Sequence, residues 1–594
     1  MTLRSLSIPA LAALLISPAI QADSETAEPV VVTATRTAQL ADETLAPVIV
    51  ITREEIERTQ ANDVADLLRN YAGLDIARNG GPGQATSLFM RGTDSNHTLV
   101  MIDGVKINPG TIGGAALQNI SPAVIERIEI VKGPRSALYG SEAIGGVINI
   151  ITRSEARGTR ASAGYTNGSY NTRNYRFSMD TRDTESGFRS GISTNFLSTG
   201  GFPTRSTSDI DRGYDNTTVN SYIGVQAGPV DVEASYWTAS GNTEYVDFFL
   251  NPVDQDYRNS AGAVTLKAAP LDSWATSLKL SHITDKIDQN QSSDFTRTRR
   301  EALDWQNDIQ ITASQLLTAG LWYSRENTRA SIFGSGFDED ISVKAAYLQD
   351  DIDLDAHRIQ MAARVTDHEG FDTNVSWNFA YGYRMSAATR LTAAAGTAFR
   401  APDSTDRFGF GGDPNLDPET SLNLELGLNH RFNAHHALSL SAFDNRIEDL
   451  IEYNTATFMM ENIGKARIYG LEGAYNFDLG RWHLRVTAIA QNPENDETNE
   501  QLLRRAKHTM TASLTYQQKL YSVLVDFLAT GKRKDVTEDL DAYQLVNATL
   551  QLRPYGGWLA QLKVENLLDE NYELASTYNT PERSFYFELA YNYP

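Results

Sequence analysis

The 594-residue chain contains no cysteine. That excludes a disulfide framework, a thiolate zinc site and a cysteine nucleophile. It also lacks an excess of positive charge: 52 Lys and Arg stand against 75 Asp and Glu, a net charge of −23. Nucleic acid needs a basic surface, so this balance argues against such a partner; acidic loops can instead hold divalent cations. The short signatures of common enzymes are missing as well, with no H-E-x-x-H, no G-x-S-x-G and no P-loop. "GPRSALYGSEAIGG" is glycine-rich but has no P-loop lysine. The nine His are scattered, and His435-His436 sits beside a turn signal. Beyond the N-terminus no run of 18 apolar residues occurs, so no spanning helix is expected.

The chain is rich in Tyr (26), Phe (22) and Gly (42). It opens "MTLRSLSIPALAALLISPAIQADS", where Arg4 precedes an apolar stretch from Ile8 to Ile20 and then Gln-Ala. This pattern predicts a secretory signal over residues 1–22, cleaved after Ala22. Pro9 and Pro18 and the short length disfavour a membrane anchor. Next comes a segment, 23–47, that contains "PVVVTAT" (Pro29 to Thr35). β-branched residues in a row favour extended structure, yet no hairpin turn follows to supply a partner strand.

Residues 48–153 read as a compact mixed α and β domain. In "VIVITREEIERTQ" a short strand hands over to a helix, and Thr52 and Glu55 have capping-box spacing. In "NDVADLLRNYAG" Val64, Leu67, Leu68 and Tyr71 share one helical face, and Gly73 offers a stop. Strand-like pieces follow in "SLFMRG", "HTLVMIDGVKIN" and "IERIEIVKGP", punctuated by many glycines.

From residue 154 to 594 the period changes to two. Leu471, Tyr475 and Phe477 alternate with polar residues. So do Trp482, Leu484 and Val486, then Met510, Leu514 and Tyr516, then Tyr521, Val523, Val525 and Phe527. "SFYFELAYNYP" puts Phe585, Phe587, Leu589, Tyr591 and Tyr593 on one face. Alternation over about 440 residues exceeds one soluble sandwich. Aromatics near strand ends match the girdles of a membrane barrel. The expected fold is therefore all-β: an antiparallel transmembrane barrel with the 48–153 domain as a plug in its lumen. Length fits about 22 strands, and 16 or 18 with longer loops also fit.

At this point the residues resemble the TonB-dependent outer-membrane receptors, most closely the cobalamin (vitamin B12) receptors among them. The resemblance is carried by "NGGPGQATSLFMRGTDSNHTLVMIDGVKIN" and "IERIEIVKGPRSALYGSEAIGGVINIITR" in the plug. In the barrel it is carried by "TAFRAPDSTDRFGFGGDPNLDPETS", "NIGKARIYGLEG", "LLRRAK" and "VENLLDENYE". The patterns in "FRAP", "DPNLDPE" and "NLLDENY" indicate the superfamily rather than the ligand, whereas the plug string and "LLRRAK" point more narrowly to cobalamin receptors. The resemblance implies active import across the bacterial outer membrane, with cobalamin as ligand, by a monomer set in lipid and lipopolysaccharide. A siderophore or other metal chelate is the alternative ligand; a passive pore or barrel enzyme is the alternative class.

Roles for particular residues follow from the same resemblance. Val30, Val31, Val32, Thr33, Ala34 and Thr35 look like the Ton box, which TonB engages by strand addition; a plug strand or a frayed terminus is the bland reading. Ser87, Asp94, Ile112 and Gly113 match ligand contacts of the plug, and at Asp94 the family pattern has an amide. Arg504 matches a ligand-contact Arg, or else pairs with an acidic neighbour. Asp209, Asp211, Tyr245, Asp247 and Asp256 match a calcium-binding pair of loops. Thr207 stands where that pattern has Gln, and an Asp near Gly201 is lost; calcium takes six to eight oxygens, so the fewer ligands imply one calcium, weaker calcium or none. A solvated acidic loop is the alternative there. Arg91, Arg135, Glu142 and Arg153 are read as structural plug charges. The chain ends Tyr593-Pro594, and Pro cannot donate to a strand ladder.

Overall fold

The computed structural model describes residues 30–31, 33–152, 158–454 and 456–593. The predicted leader, Val32, Arg153 and Pro594 lie outside these residues.

Residues from Gly158 onward form a closed barrel of 22 antiparallel strands. The last strand, Ser584–Tyr593, pairs with the first, Gly158–Gly168, in a register running from Gly168↔Tyr586 to Ala161↔Tyr593. Closure leaves no unpaired edge, which a lipid environment requires. Tyr593 is itself a ladder member. The period-two pattern explains which way each side chain points. In the last strand Phe585, Phe587, Leu589 and Tyr591 are exposed, while Tyr586, Glu588 and Ala590 are buried inward. The outside is thus apolar and the lumen polar, the inverse of a soluble sandwich. One barrel end has turns of a few residues; the other carries longer segments such as 401–418, 496–507 and 566–583. In outer-membrane barrels these are the periplasmic and extracellular ends. Aromatic pairs such as Trp482–Tyr516 and Trp558–Tyr591 sit at the short-turn rim. The five residues matched to a calcium site belong to the opposite, long-loop end.

The plug fills the lumen. Its central sheet has five strands in the order Val48–Thr52, Arg127–Lys132, Gly146–Ile151, Thr98–Ile102, Val105–Lys106. Thr98–Ile102 runs parallel to Gly146–Ile151. A separate hairpin pairs Leu74–Arg78 with Thr86–Met90. Thr52 caps helix α1 (Arg53–Thr59) through the expected reciprocal box with Glu55. Helix α2 (Val64–Leu68) is shorter than its apolar face suggested, ending at Leu68, though Tyr71 is still buried. Helix α3 (Ser136–Tyr139) is a single turn.

One expectation is corrected. The Val30–Val31 segment does have a partner within the chain, because it pairs antiparallel with Gln39–Leu40. The connection is no standard hairpin turn. Arg36, with φ 62, bends the chain, and contacts to the plug hold the bend.

Candidate functional site

Two places matter: the outer face of the plug and the start of the described chain beneath it.

At the outer face, Asn108 organises the loop that follows the central sheet. Its buried amide accepts from Val100 N at 2.7 Å and donates to Thr98 O at 3.0 Å and Gly113 O at 2.8 Å. The loop between is thereby pinned at both ends. Ile112 projects from it and is 49% exposed. Gly113 has φ 66, and a Cβ there would lie 2.9 Å from the Asn96 Cβ, so both its backbone and its surroundings demand glycine. Helix α4 (Ser404–Phe408), in the extracellular loop 401–418, grips the same loop. Ser404 N donates to Gly110 O at 2.9 Å and Thr405 N to Thr111 O at 3.1 Å. Ser87 is half-buried on the Thr86–Met90 strand.

Asp94 begins the 3-10 turn Ser95–His97 and is bound by Arg505 of the barrel. Arg505 also donates to Gly92 O at 3.2 Å and lies over the Phe89 ring at 4.5 Å. Its neighbour Arg504 pairs with Asp535 at 2.8 Å instead. Of two adjacent arginines in "LLRRAK", the one that reaches the plug is therefore Arg505. Loop backbones have no fixed period, so the sequence carried no signal to choose between them. Burial and the Asp94 charge push the carboxyl of Glu452, in the hairpin Ile451–Asn454/Met459–Asn462, up to about 7; Arg505 opposes this.

The five residues matched to a calcium site do not converge. Among the described residues no three His, Asp or Glu side chains are placed to hold a metal ion. Asp209 and Asp211 are exposed. Asp247 accepts from Phe249 N and Asn251 N, both at 2.8 Å, and Asp256 from Asn242 at 2.9 Å. Tyr245 OH donates to Gln289 at 2.6 Å. The carboxylates of Asp247 and Asp256 are thus engaged by amides, and the set does not fit a six-to-eight-oxygen cage in this arrangement.

Beneath the plug, Thr33, Ala34 and Thr35 are almost wholly buried. Thr33 donates to Glu129 twice, from Oγ1 at 2.6 Å and from N at 3.0 Å. Its Oγ1 accepts from Asn149 at 3.1 Å, and its carbonyl accepts from Tyr139 OH at 3.1 Å. Barrel residues complete the hold: Gln349 donates to Thr35 O at 3.1 Å and Gln306 to Arg36 O at 3.2 Å. Arg36 pairs with Asp304 at 2.7 Å and is flanked by the rings of Tyr139 and Tyr347. Asn149 also accepts from Gly104 N at 3.1 Å. One amide of the central sheet therefore touches both this buried turn and the turn between the strands that lead to the outer loop.

The plug charges are structural contacts. Arg91 pairs with Glu425 at 3.1 Å and Glu472 at 2.9 Å, and Lys132 also binds Glu472. His97 meets Glu419 at 2.7 Å, where Arg400 joins them. Arg135 donates to Pro134 O at 2.9 Å, and burial lowers its pKa. Glu142 is driven up by burial, against the pull of Arg300 and Lys106.

Two family profiles match the chain: "TonB dependent receptor-like, beta-barrel" over residues 152–567 and "TonB-dependent Receptor Plug Domain" over 41–147. A curated relative from Photobacterium profundum, the vitamin B12 transporter BtuB, is 30% identical over 609 residues, covering 97% of each chain. Its counterpart from Vibrio vulnificus is 30% identical over 577 residues, covering 93% of this chain and 92% of the relative. Among solved structures, the siderophore receptor PirA from Acinetobacter baumannii superposes with a TM-score of 0.80 at 19% identity, covering 92% of this chain and 98% of that one. The ferric enterobactin receptor PfeA from Pseudomonas aeruginosa does so at 0.80 and 18%, covering 95% and 100%. At such identities the structural likeness concerns the fold alone.

Proposed function

The chain belongs to the TonB-dependent receptors of the outer membrane, and from that premise we propose that it imports cobalamin. The observation that carries the ligand is the end-to-end similarity, at 30% identity, to vitamin B12 transporters. The siderophore and ferric enterobactin receptors share the fold at 17–19% identity, so a metal chelate is the second reading. Ligand would sit on the outer plug surface formed by Ser87, Asp94, Ile112 and Gly113, with Arg505 beside it. Binding there would bias the Thr33–Thr35 turn toward release, a coupling between two sites. Val30 to Thr35 would then be free to add as a strand to TonB. No covalent step is involved, and a monomer in lipid and lipopolysaccharide suffices.

The test is titration of the purified receptor with cyanocobalamin, with and without calcium. Saturable binding is expected. Its absence in both conditions moves the reading to metal chelates. A calcium-dependent affinity would require Asp209, Asp211, Tyr245, Asp247 and Asp256 to rearrange, since the carboxylates of Asp247 and Asp256 now accept from amides and the five do not converge. Deleting Val30 to Thr35 is expected to abolish uptake while leaving binding intact.

A further inference from the structure

The plug is not held evenly around its circumference. Toward the strands Glu419–Asn433, Lys465–Leu479 and Trp482–Asn495 it is fixed by charge. Arg91 and Lys132 share Glu472, Arg91 reaches Glu425, His97 meets Glu419, and Glu55 pairs with Arg485 at 2.6 Å. These groups are mostly buried, and a buried ion cannot be left alone without a large desolvation penalty.

The sector at the closing seam of the barrel is built differently. Here the wall consists of the first three strands (Gly158–Gly168, Thr172–Arg182, Phe188–Pro203) and the last three (Tyr543–Leu552, Trp558–Glu565, Ser584–Tyr593). Gln60 donates to Glu588 at 3.0 Å, Lys563 donates to Gln60 O at 2.9 Å, and Arg69 reaches Tyr572 OH at 3.4 Å. Beside these contacts plug and wall separate around a cavity of about 780 Å³, its open mouth included. A void forfeits the dispersion contacts that a packed interface would have to break.

The cavity also has a chemical character. Tyr170, Phe202, Tyr572 and Tyr586 supply aromatic walls, and Asn62 and Asn547 supply amides. Its charges cancel in kind, Arg69 and Arg78 against Asp66 and Glu565, with Arg78 already bound to Asp63 and Asp66. Its wall residues come from the loop-proximal ends of the strands and from the extracellular loop 566–583. It therefore lies on the ligand side of the barrel.

We propose that this cavity is the entrance of the transport path: the plug parts first from the six-strand wall while its charged sector stays anchored, and ligand passes from its outer seat into the widening gap. The aromatic walls and balanced charges suit a bulky, nearly uncharged organic ligand that bears amides or hydroxyls. They give no advantage to a multiply charged anion. The inference rests on the import reading given above.

The absence of cysteine allows a direct test with reducible thiol cross-links. Gln60→Cys with Glu588→Cys ties the plug to the six-strand wall beside the cavity. Ala72→Cys with Thr487→Cys ties it to the charged sector, where Ala72 N donates to Thr487 Oγ1 at 3.0 Å. Cyanocobalamin uptake is measured in cells before and after bridging with a short bis-methanethiosulfonate, and again after reduction. The first bridge should abolish uptake reversibly and leave binding unchanged. The second should leave uptake near its unbridged level. Uptake that survives the first bridge overturns the proposal. So does loss of uptake with both, which would mean that the whole plug must leave. A ligand-free measurement separates this from the import reading. Under mild urea, amide exchange should appear in residues 60–69 and 79–85 before 91–97 and 127–132. The reverse order overturns the entrance even if cobalamin is transported. Silence of the reduced variants toward cyanocobalamin, with the exchange order kept, overturns only the ligand.

Discussion

Arg36 donates to Asp304 at 2.7 Å across 268 residues of sequence, and this pair closes the turn that buries Thr33, Ala34 and Thr35. The guanidinium lies between the rings of Tyr139 and Tyr347, 4.6 and 4.5 Å from their centres. Removing the carboxylate leaves a buried cation facing Arg364, which is itself buried. Asp304→Asn should therefore loosen the turn without ligand. Affinity of the ligand-free receptor for the TonB C-terminal domain should rise roughly tenfold, corresponding to about 1.4 kcal/mol of latch. Isothermal titration of that domain measures it, and unchanged affinity would remove the latch role from this pair.

Gly113 and Asn108 set the outer loop. Gly113→Ala places a Cβ 2.9 Å from that of Asn96 at a backbone φ of 66. Asn108→Ala strands three buried hydrogen-bond partners, a cost of about 1–3 kcal/mol for each partner left unsatisfied. Both variants should fold as barrels and lose most ligand affinity. Near-UV circular dichroism and ligand titration together separate a distorted loop from a lost barrel.

Arg505 and Arg504 should behave differently. Arg505→Gln removes the charge that holds Asp94 and the donor to Gly92 O. Arg504→Gln loses only the pair with Asp535, which keeps hydrogen bonds from Ser576 N and Val536 N. Ligand affinity should fall at least tenfold in the first variant, about 1.4 kcal/mol, and within about twofold in the second, as expected of a part-exposed pair. Equal losses would return Arg504 to the binding surface.

Much of this architecture is readable in the chain, because barrel physics repeats locally. The alternation in "SFYFELAYNYP" already sorts Phe585 and Phe587 from Tyr586 and Glu588, and Thr52 with Glu55 announces a helix start. The strand number was a matter of length alone. What could not be read depends on contacts distant in sequence. Nothing near Thr33 points to Glu129, and nothing in "LLRRAK" turns Arg505 inward rather than Arg504. The partner of Val30–Val31 is not legible in the sequence because its turn is held by Asp304, Gln306 and Gln349 of the barrel, not by turn residues of its own.

Asp75 links the plug hairpin to the barrel and gives the plug a pH-dependent stability. Its carboxylate accepts from Thr509 Oγ1 at 3.1 Å and Gln491 Nε2 at 3.4 Å, and among the described residues no cation is in hydrogen-bond contact with it. Burial pushes its pKa up to about 6, against the opposing hydrogen bond from Thr509. A raised carboxyl pKa means that the folded plug holds its proton more tightly than the unfolded chain does. The associated stability is complete below about pH 4, the ordinary range for Asp, and is lost as pH rises through about 6. The difference amounts to at most ~3 kcal/mol by neutral pH. Asp75→Asn cannot ionise, so the variant should match the natural protein near pH 4 and exceed it increasingly up to pH 7. Urea midpoints of plug unfolding, followed at several pH values in both proteins, give the comparison. A stability difference that stays constant between pH 4 and pH 7 would show that Asp75 ionises as freely in the plug as in the unfolded chain.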